Sequence, residues 1–136
     1  MALTLGKEYA IYSIKDRMFR IDFYCDANGT KPVASFIKEL DVELQAKVIA
    51  GLQLLEEYGN KARQPLSKEL SDGIFEFRTT SQNRTVRILY FFDRDKLIIA
   101  TNAFIKKTQK TPRKEIEYAK KLRRDYHRRK EDGTYE

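Results

Sequence analysis

Residues 73–104 read GIFEFRTTSQNRTVRILYFFDRDKLIIATNAF, and they contain two alternating patterns of opposite phase. In the first, Phe75 and Phe77 face one way while Ile74, Glu76 and Arg78 face the other. In the second, Val86, Ile88, Tyr90 and Phe92 share a face, and Arg87, Leu89 and Phe91 the opposite one. A period of two predicts strands, and the Ser81-Gln82-Asn83 link between them predicts a hairpin. Asp93-Arg94-Asp95 then makes a tight turn into a third strand over 96–104, whose Leu97-Ile98-Ile99-Ala100 run suits a central position. A three-stranded antiparallel meander follows. Its oddity is that arginines and a glutamate stand on otherwise apolar strands.

Upstream, residues 60–72 read as a polar link containing Lys61, Arg63, Pro65 and Lys68. Before it, Asp41 is a helix cap and Gly59 a helix stop. Leu44, Val48, Leu52 and Leu55 form the stripe between them, widened by Ile49, Leu54 and Tyr58. A shorter helix over 32–40 puts Val33, Phe36, Ile37 and Leu40 on one side, so the two helices form a pair with a shared core face. Residues 18–25 alternate Phe19, Ile21, Phe23 and Cys25 against Arg20, Asp22 and Tyr24, which predicts another strand, and Asp26-Ala27-Asn28-Gly29 is a turn. Downstream, Thr111 and Pro112 open a last helix with Ile116, Ala119, Leu122 and Tyr126 on its stripe. The predicted order is β-α-α-β-β-β-α. That is an α+β fold with a mainly antiparallel sheet, a helix pair on one face, and the opposite face or its end open to solvent and ligand. No internal repeat is present.

The 136 residues suffice for one domain, assigned to 17–130, with 1–16 as an N-terminal extension and 131–136 as a short acidic tail. An apolar fraction of 41%, with eight Phe and eight Tyr, argues for a folded chain. The single cysteine, Cys25, excludes an internal disulfide framework and reads as a small core residue. No apolar stretch approaches a membrane span and no signal peptide is evident, so a cytoplasmic protein is expected. With one histidine, paired-histidine ribonuclease chemistry within one chain is impossible, and His/Cys zinc ligands are too few. Asp93 and Asp95 are turn residues and not a metal pair. No metal or cofactor is expected. The charge is concentrated: residues 106–130 hold 12 Lys or Arg against three acids, within a total of +7. A polyanion is the partner that such a surface attracts.

Three stretches together resemble a known family. They are Gly73-Ile74-Phe75-Glu76-Phe77-Arg78, then Arg87-Ile88-Leu89-Tyr90-Phe91-Phe92, then 104–112 with Phe104-Ile105-Lys106-Lys107. With Phe36-Ile37-Lys38-Glu39-Leu40 and 52–59, they resemble the phage-derived Gp49-like and HigB-like proteins of the RelE/ParE toxin superfamily, over about residues 18 to 126. The resemblance implies a RelE-like fold with a concave basic surface. It implies a toxin of a toxin–antitoxin module, an mRNA endoribonuclease acting on the ribosome without a metal, and a small helix-turn-helix antitoxin as partner. Other superfamily members act on DNA gyrase, and fold does not choose between targets. Carried over by resemblance, Arg87 contacts the scissile phosphate, Arg78 is a second basic residue, and Lys106 and Lys107 stabilise charge or protonate the leaving group. Glu76 and Ile74 stand where ribosome-dependent relatives place lysines.

Attack of a 2′-hydroxyl on the adjacent phosphate needs a proton acceptor, a stabiliser of the anionic phosphorus and an acid for the leaving oxygen. Arginine suits the second role, and lysine the second or third. Glu76 is the best candidate base if it shares the face of Arg78. The catalytic candidates are therefore Arg87, Lys107, Arg78 and Glu76. Candidate RNA contacts are Lys106, Lys110, Arg113, Lys114, Arg123, Tyr126 and His127. Plainer readings stand beside these: Arg87 as an arginine paired with Glu76, the lysines as a solvated link, and Tyr126 as packing. A noncatalytic binding module and a gyrase inhibitor stand as alternatives to the nuclease. For a phosphate-contacting Arg87, Arg87→Ala is expected to suppress cleavage while leaving the melt nearly unchanged.

Overall fold

The computed structural model describes residues 18–135. The expected N-terminal extension lies outside these residues. The order is β1 (Arg20–Phe23), α1 (Pro32–Glu39), α2 (Val42–Tyr58), a 3-10 turn (Gly59–Lys61), β2 (Ser67–Ser71), β3 (Ile74–Ser81), β4 (Arg84–Asp93), β5 (Leu97–Ile105) and α3 (Arg113–Asp132). The five strands form one sheet ordered β1-β5-β4-β3-β2, antiparallel except for the parallel β1–β5 pair. The α+β class and the meander are as the alternation predicts. Gln82 and Asn83, at φ 50° and 69°, make the two-residue turn that right-handed strand twist favours.

The fifth strand, β2, is an addition. It lies in the expected polar link and pairs with β3 through the Asp72-Gly73 turn, at φ 51° and 77°. Its Lys68 and Glu69 give it the charged character of an edge strand, and its apolar signal is correspondingly weak. At the other edge, α2 covers β1: the Phe19 and Ile21 amides donate to the Glu56 carbonyl and carboxylate at 2.8 and 3.0 Å. Asp41 caps α2 by accepting from the Leu44 amide at 2.8 Å. Ile49, Leu54 and Tyr58 do not widen the buried stripe; they are 47%, 45% and 51% exposed.

Each face of the sheet has its own core. On one, Phe77, Val86, Ile88, Tyr90 and Ile98 pack against Val33, Ile37, Leu44, Val48 and Leu55 of the helix pair. On the other, Ile74, Leu89, Phe91 and Ile99 pack against Ala119, Leu122 and Tyr126 of α3. The expectation of an open second face is corrected here. The stripe of α3 is apolar enough to bury, and the sheet residues opposite it are apolar too, so α3 closes over the middle of that face. What it leaves is the end beyond its own first turn.

The far end of α3 ties the chain termini of the domain together. Arg129, 6% exposed, donates to the Asp125 carboxylate at 2.8 Å and to the Cys25 carbonyl, and lies 4.6 Å from the Tyr135 ring centre. The Tyr135 hydroxyl accepts from the Cys25 amide at 2.9 Å. Cys25 is half-buried just past β1, not a core strand residue. The boundary expected at residue 130 falls inside α3, which runs to Asp132 before Gly133 ends it.

Candidate functional site

Register brings the polar strand residues to one end of the α3 face. Glu76 stands opposite Leu89, Arg78 opposite Arg87, and Arg87 opposite Phe104. Two-residue spacing puts Glu76 and Arg78 on one face, as their sequence position predicts. Glu76 is wholly buried and Arg87 is 1% exposed. The Arg87 guanidinium donates to the Glu76 carboxylate at 3.2 Å, to the Thr111 hydroxyl at 2.9 Å and to the Gln109 carbonyl at 3.0 Å. Thr111 in turn donates to the same Glu76 oxygen. Arg78 Nε lies 3.0 Å from the other oxygen, with the arginine side chain 24% exposed.

One carboxylate therefore sits between two arginines, one enclosed and one at the surface. The set is incompletely satisfied. Among the described residues, Glu76 Oε1, Arg78 Nε and Arg87 Nε are buried without a hydrogen-bond partner. The 3.0 Å Arg78–Glu76 contact is thus charge attraction without an aligned N–H.

This geometry changes what the candidate residues do. Glu76 faces two guanidinium groups and a hydroxyl inside the protein, where it holds the arginines. Arg87 is enclosed, and its pairing with Glu76 is the plainer of the two sequence readings. Thr111 is not a helix cap: α3 begins at Arg113 after Pro112, without a side-chain cap, and the Thr111 hydroxyl serves Arg87 and Glu76 instead. The helix start is fixed from the sheet by Asn102, whose amide donates to the Glu115 carbonyl and carboxylate at 3.3 and 3.1 Å. Asn102 and Thr111 are residues that sequence reasoning missed. An asparagine inside an apolar run was the available signal for the first, which proves to be 3% exposed.

Lys106 is half-buried, and Lys107, Lys110, Arg113 and Lys114 are exposed around this end. None of them makes an ion pair among the described residues. From 106 to 114 there are five cations and no acid. The remaining RNA-contact candidates are elsewhere. Arg123 reaches back to the β2–β3 turn, donating to the Asp72 carboxylate at 3.0 Å and to its carbonyl at 2.6 Å. Tyr126 is 1% exposed, with its hydroxyl donating to Asp93 at 2.6 Å, as the packing reading expects. His127 is exposed, four turns along α3 from Arg113, beside a polar cleft of 750 Å³ that also takes in Arg20, Arg94 and Lys130. The sequence candidates thus divide between two ends of the sheet.

The Asp93 carboxyl is held below the usual carboxylate range. Burial pushes it up, but the Tyr126 hydroxyl, the Arg94 amide and the charges of His127 and Arg94 outweigh that. Tyr126 moves the opposite way, raised by burial and then by Asp93. Among the described residues no His, Cys, Asp and Glu cluster could hold a metal ion, and no helix is long and apolar enough to cross a membrane.

The family described as Phage derived protein Gp49-like (DUF891) matches residues 35–124, about two-thirds of the chain. This chain belongs to that family. The match runs from α1 into α3 and takes in Glu76, Arg78, Arg87 and all the cations of 106–114. The Gp49-like family is related to toxin–antitoxin systems, which points to an antitoxin as partner. No curated protein matches the chain.

Proposed function

We propose that this Gp49-like chain is the toxin of a toxin–antitoxin module, and that it cuts mRNA on the ribosome in the cytoplasm without a metal. The observation that supports this reading best is the pairing of an acid-free run of five cations, 106–114, with two arginines set around one buried carboxylate. That end of the sheet has more positive charge than its own acids neutralise, so phosphate is its natural complement. Arg78 and Lys106 would contact the scissile phosphate, Lys107 would protonate the leaving oxygen, and Lys110, Arg113 and Lys114 would hold the flanking backbone. Glu76 acts as a positioning residue for both arginines, and in the free protein Arg87 is covered by Gln109 and Thr111. A helix-turn-helix antitoxin covering this basic end would silence it.

A noncatalytic RNA-binding module is the second reading, favoured by the enclosure of both Glu76 and Arg87. Mapping of mRNA 5′ ends in a reconstituted translation reaction separates the two. The nuclease reading expects discrete new ends that need translating ribosomes and fall at least about tenfold in Arg78→Ala and in Lys107→Ala. Binding of RNA without new ends would replace it with the binding module. Inhibition of supercoiling without new ends would replace it with a gyrase inhibitor.

A further inference from the structure

In the structure the chain occupies its own arginine. Two of the Arg87 hydrogen bonds go to oxygens of the segment between β5 and α3, the Gln109 carbonyl and the Thr111 hydroxyl. A guanidinium fork filled by two oxygens is also how arginine holds a phosphodiester. We infer that residues 106–112 are a strap that closes over Arg87 in the free protein and is drawn off by a polyanion, whose phosphate oxygens then replace those of Gln109 and Thr111. The inference rests on the nucleic-acid reading above for the identity of the polyanion, and on geometry for the strap itself.

Apart from its bonds to Arg87 and the Thr111–Glu76 bond, the segment is lightly held. It has no helix or strand between Ile105 and Arg113. Its backbone is tied to the sheet at its first residue, where the Lys106 amide donates to the Thr85 carbonyl at 2.8 Å. The Lys106–Gln109 and Thr108–Lys110 bonds lie within the strap and anchor it to nothing else. Both flanks are firm: β5 is paired along its length, and Asn102 fixes the first turn of α3. The strap can therefore move between fixed ends.

Closure is also electrostatically opposed. The strap that covers Arg87 carries Lys107 and Lys110 and no acid, and among the described residues Glu76 is the buried acid at this end. In the closed arrangement Arg87 Nε, Arg78 Nε and Glu76 Oε1 are buried without hydrogen-bond partners. An arriving polyanion neutralises the lysines and supplies charged oxygens to the arginine. The strap thus keeps Arg87 covered until RNA is present, and its lysines provide the pull that uncovers it.

Arginine modification by phenylglyoxal, mapped by peptide mass spectrometry, tests the strap without relying on nuclease activity. Arg20, with its side chain 73% exposed, is the internal reference. In the free protein Arg87 should react at least about tenfold more slowly than Arg20. Thr111→Val removes the hydroxyl at nearly constant shape and should speed Arg87 by roughly tenfold, while Thr111→Ser should not. Equal Arg87 rates in wild type and Thr111→Val would overturn the strap. If the valine variant does not fold, the wild type decides: screening the lysines in about 1 M salt should slow Arg87 relative to Arg20, and an unchanged ratio overturns the inference. A 2′-O-methyl RNA oligonucleotide, which cannot be cut, should bind and speed amide hydrogen exchange at 107–111. Slower exchange there, or no binding, rejects the polyanion trigger. Strap opening with no cleavage of ribosome-bound mRNA removes the nuclease reading and leaves the strap. Cleavage with a strap that stays closed does the reverse.

Discussion

Arg87→Met keeps the length of the side chain and removes three hydrogen bonds, to Glu76, Thr111 and Gln109. What it leaves behind matters more than what it removes. Glu76 is wholly buried, and its remaining cation, Arg78, approaches without an aligned N–H. Removing one partner from a buried pair costs about 3–5 kcal/mol, because the other charge stays desolvated. In a domain of this size each kcal/mol lowers the melting temperature by roughly 3–5 °C, so a fall of about 10–20 °C is expected. Thermal unfolding followed by circular dichroism measures it. Glu76→Leu with Arg87→Met removes both charges and should recover most of the loss, to within about 2 kcal/mol of wild type. That recovery is the signature of a pair and not of a general packing defect. If Arg87→Met melts within about 2 °C of wild type, the enclosed arginine does not hold this end of the sheet and the reasoning fails.

Tyr126→Phe takes away the hydroxyl that helps to hold the Asp93 carboxyl low, and should cost about 1–2 kcal/mol at neutral pH. A carboxyl lowered by folding stabilises above its unfolded value of about 3.9 and loses that contribution as the pH falls through its folded value. The acid-unfolding midpoint of Tyr126→Phe should therefore shift to higher pH, and an unshifted midpoint would remove Asp93 from the acid response. Replacing Lys106, Lys107 and Lys110 together by glutamine should weaken single-stranded RNA binding and reduce the slope of log K against log salt by about 2, at roughly 0.7 per phosphate contact. An unchanged slope in a fluorescence anisotropy titration would show that these lysines do not meet the backbone. Gly51→Ala puts a methyl group 2.6 Å from the Phe77 ring, between α2 and β3, and should destabilise by about 1–3 kcal/mol in urea unfolding, with wild-type stability as the contrary result.

The fold was legible where burial and periodicity coincide. In β3 and β4 the two phases separate the apolar partners of the helix pair from those of α3, and the structure keeps both sets. β2 was not legible, because an edge strand reading Ser-Lys-Glu-Leu-Ser, with Leu70 as its one apolar residue, carries no apolar alternation. Its signal was the Asp72-Gly73 dipeptide, a hairpin turn that a reading centred on apolar runs passes over. The burial of the second face was half legible. The stripe of Ala119, Leu122 and Tyr126 was visible, but a stripe does not state which surface it covers, and its dense positive charge favoured a solvated helix. The site was legible as a set of residue types and not as a set of roles. Glu76 and Arg87 lie on neighbouring strands of the predicted hairpin, so their pairing was one of two sequence readings; strand register decides for it, and only the fold brings Thr111 down upon them.

That register has a consequence for how charge is divided at this end of the molecule. A buried carboxylate with one arginine is a structural pair, complete in itself. Here the same carboxylate faces two arginines, so neither is fully matched and the surplus is directed outwards through Arg78. The strap adds lysines to the surplus without adding an acid, and supplies Arg87 only with neutral oxygens. A site built for stability alone would place an acid where Gln109 and Thr111 stand, since a second carboxylate would satisfy the fork and cancel the charge. Neutral acceptors hold the arginine while leaving it to be won by a stronger, charged one. The unmatched charge and the neutral cover are the same feature viewed from inside and outside the protein, and both are what the proposed phosphate contact requires.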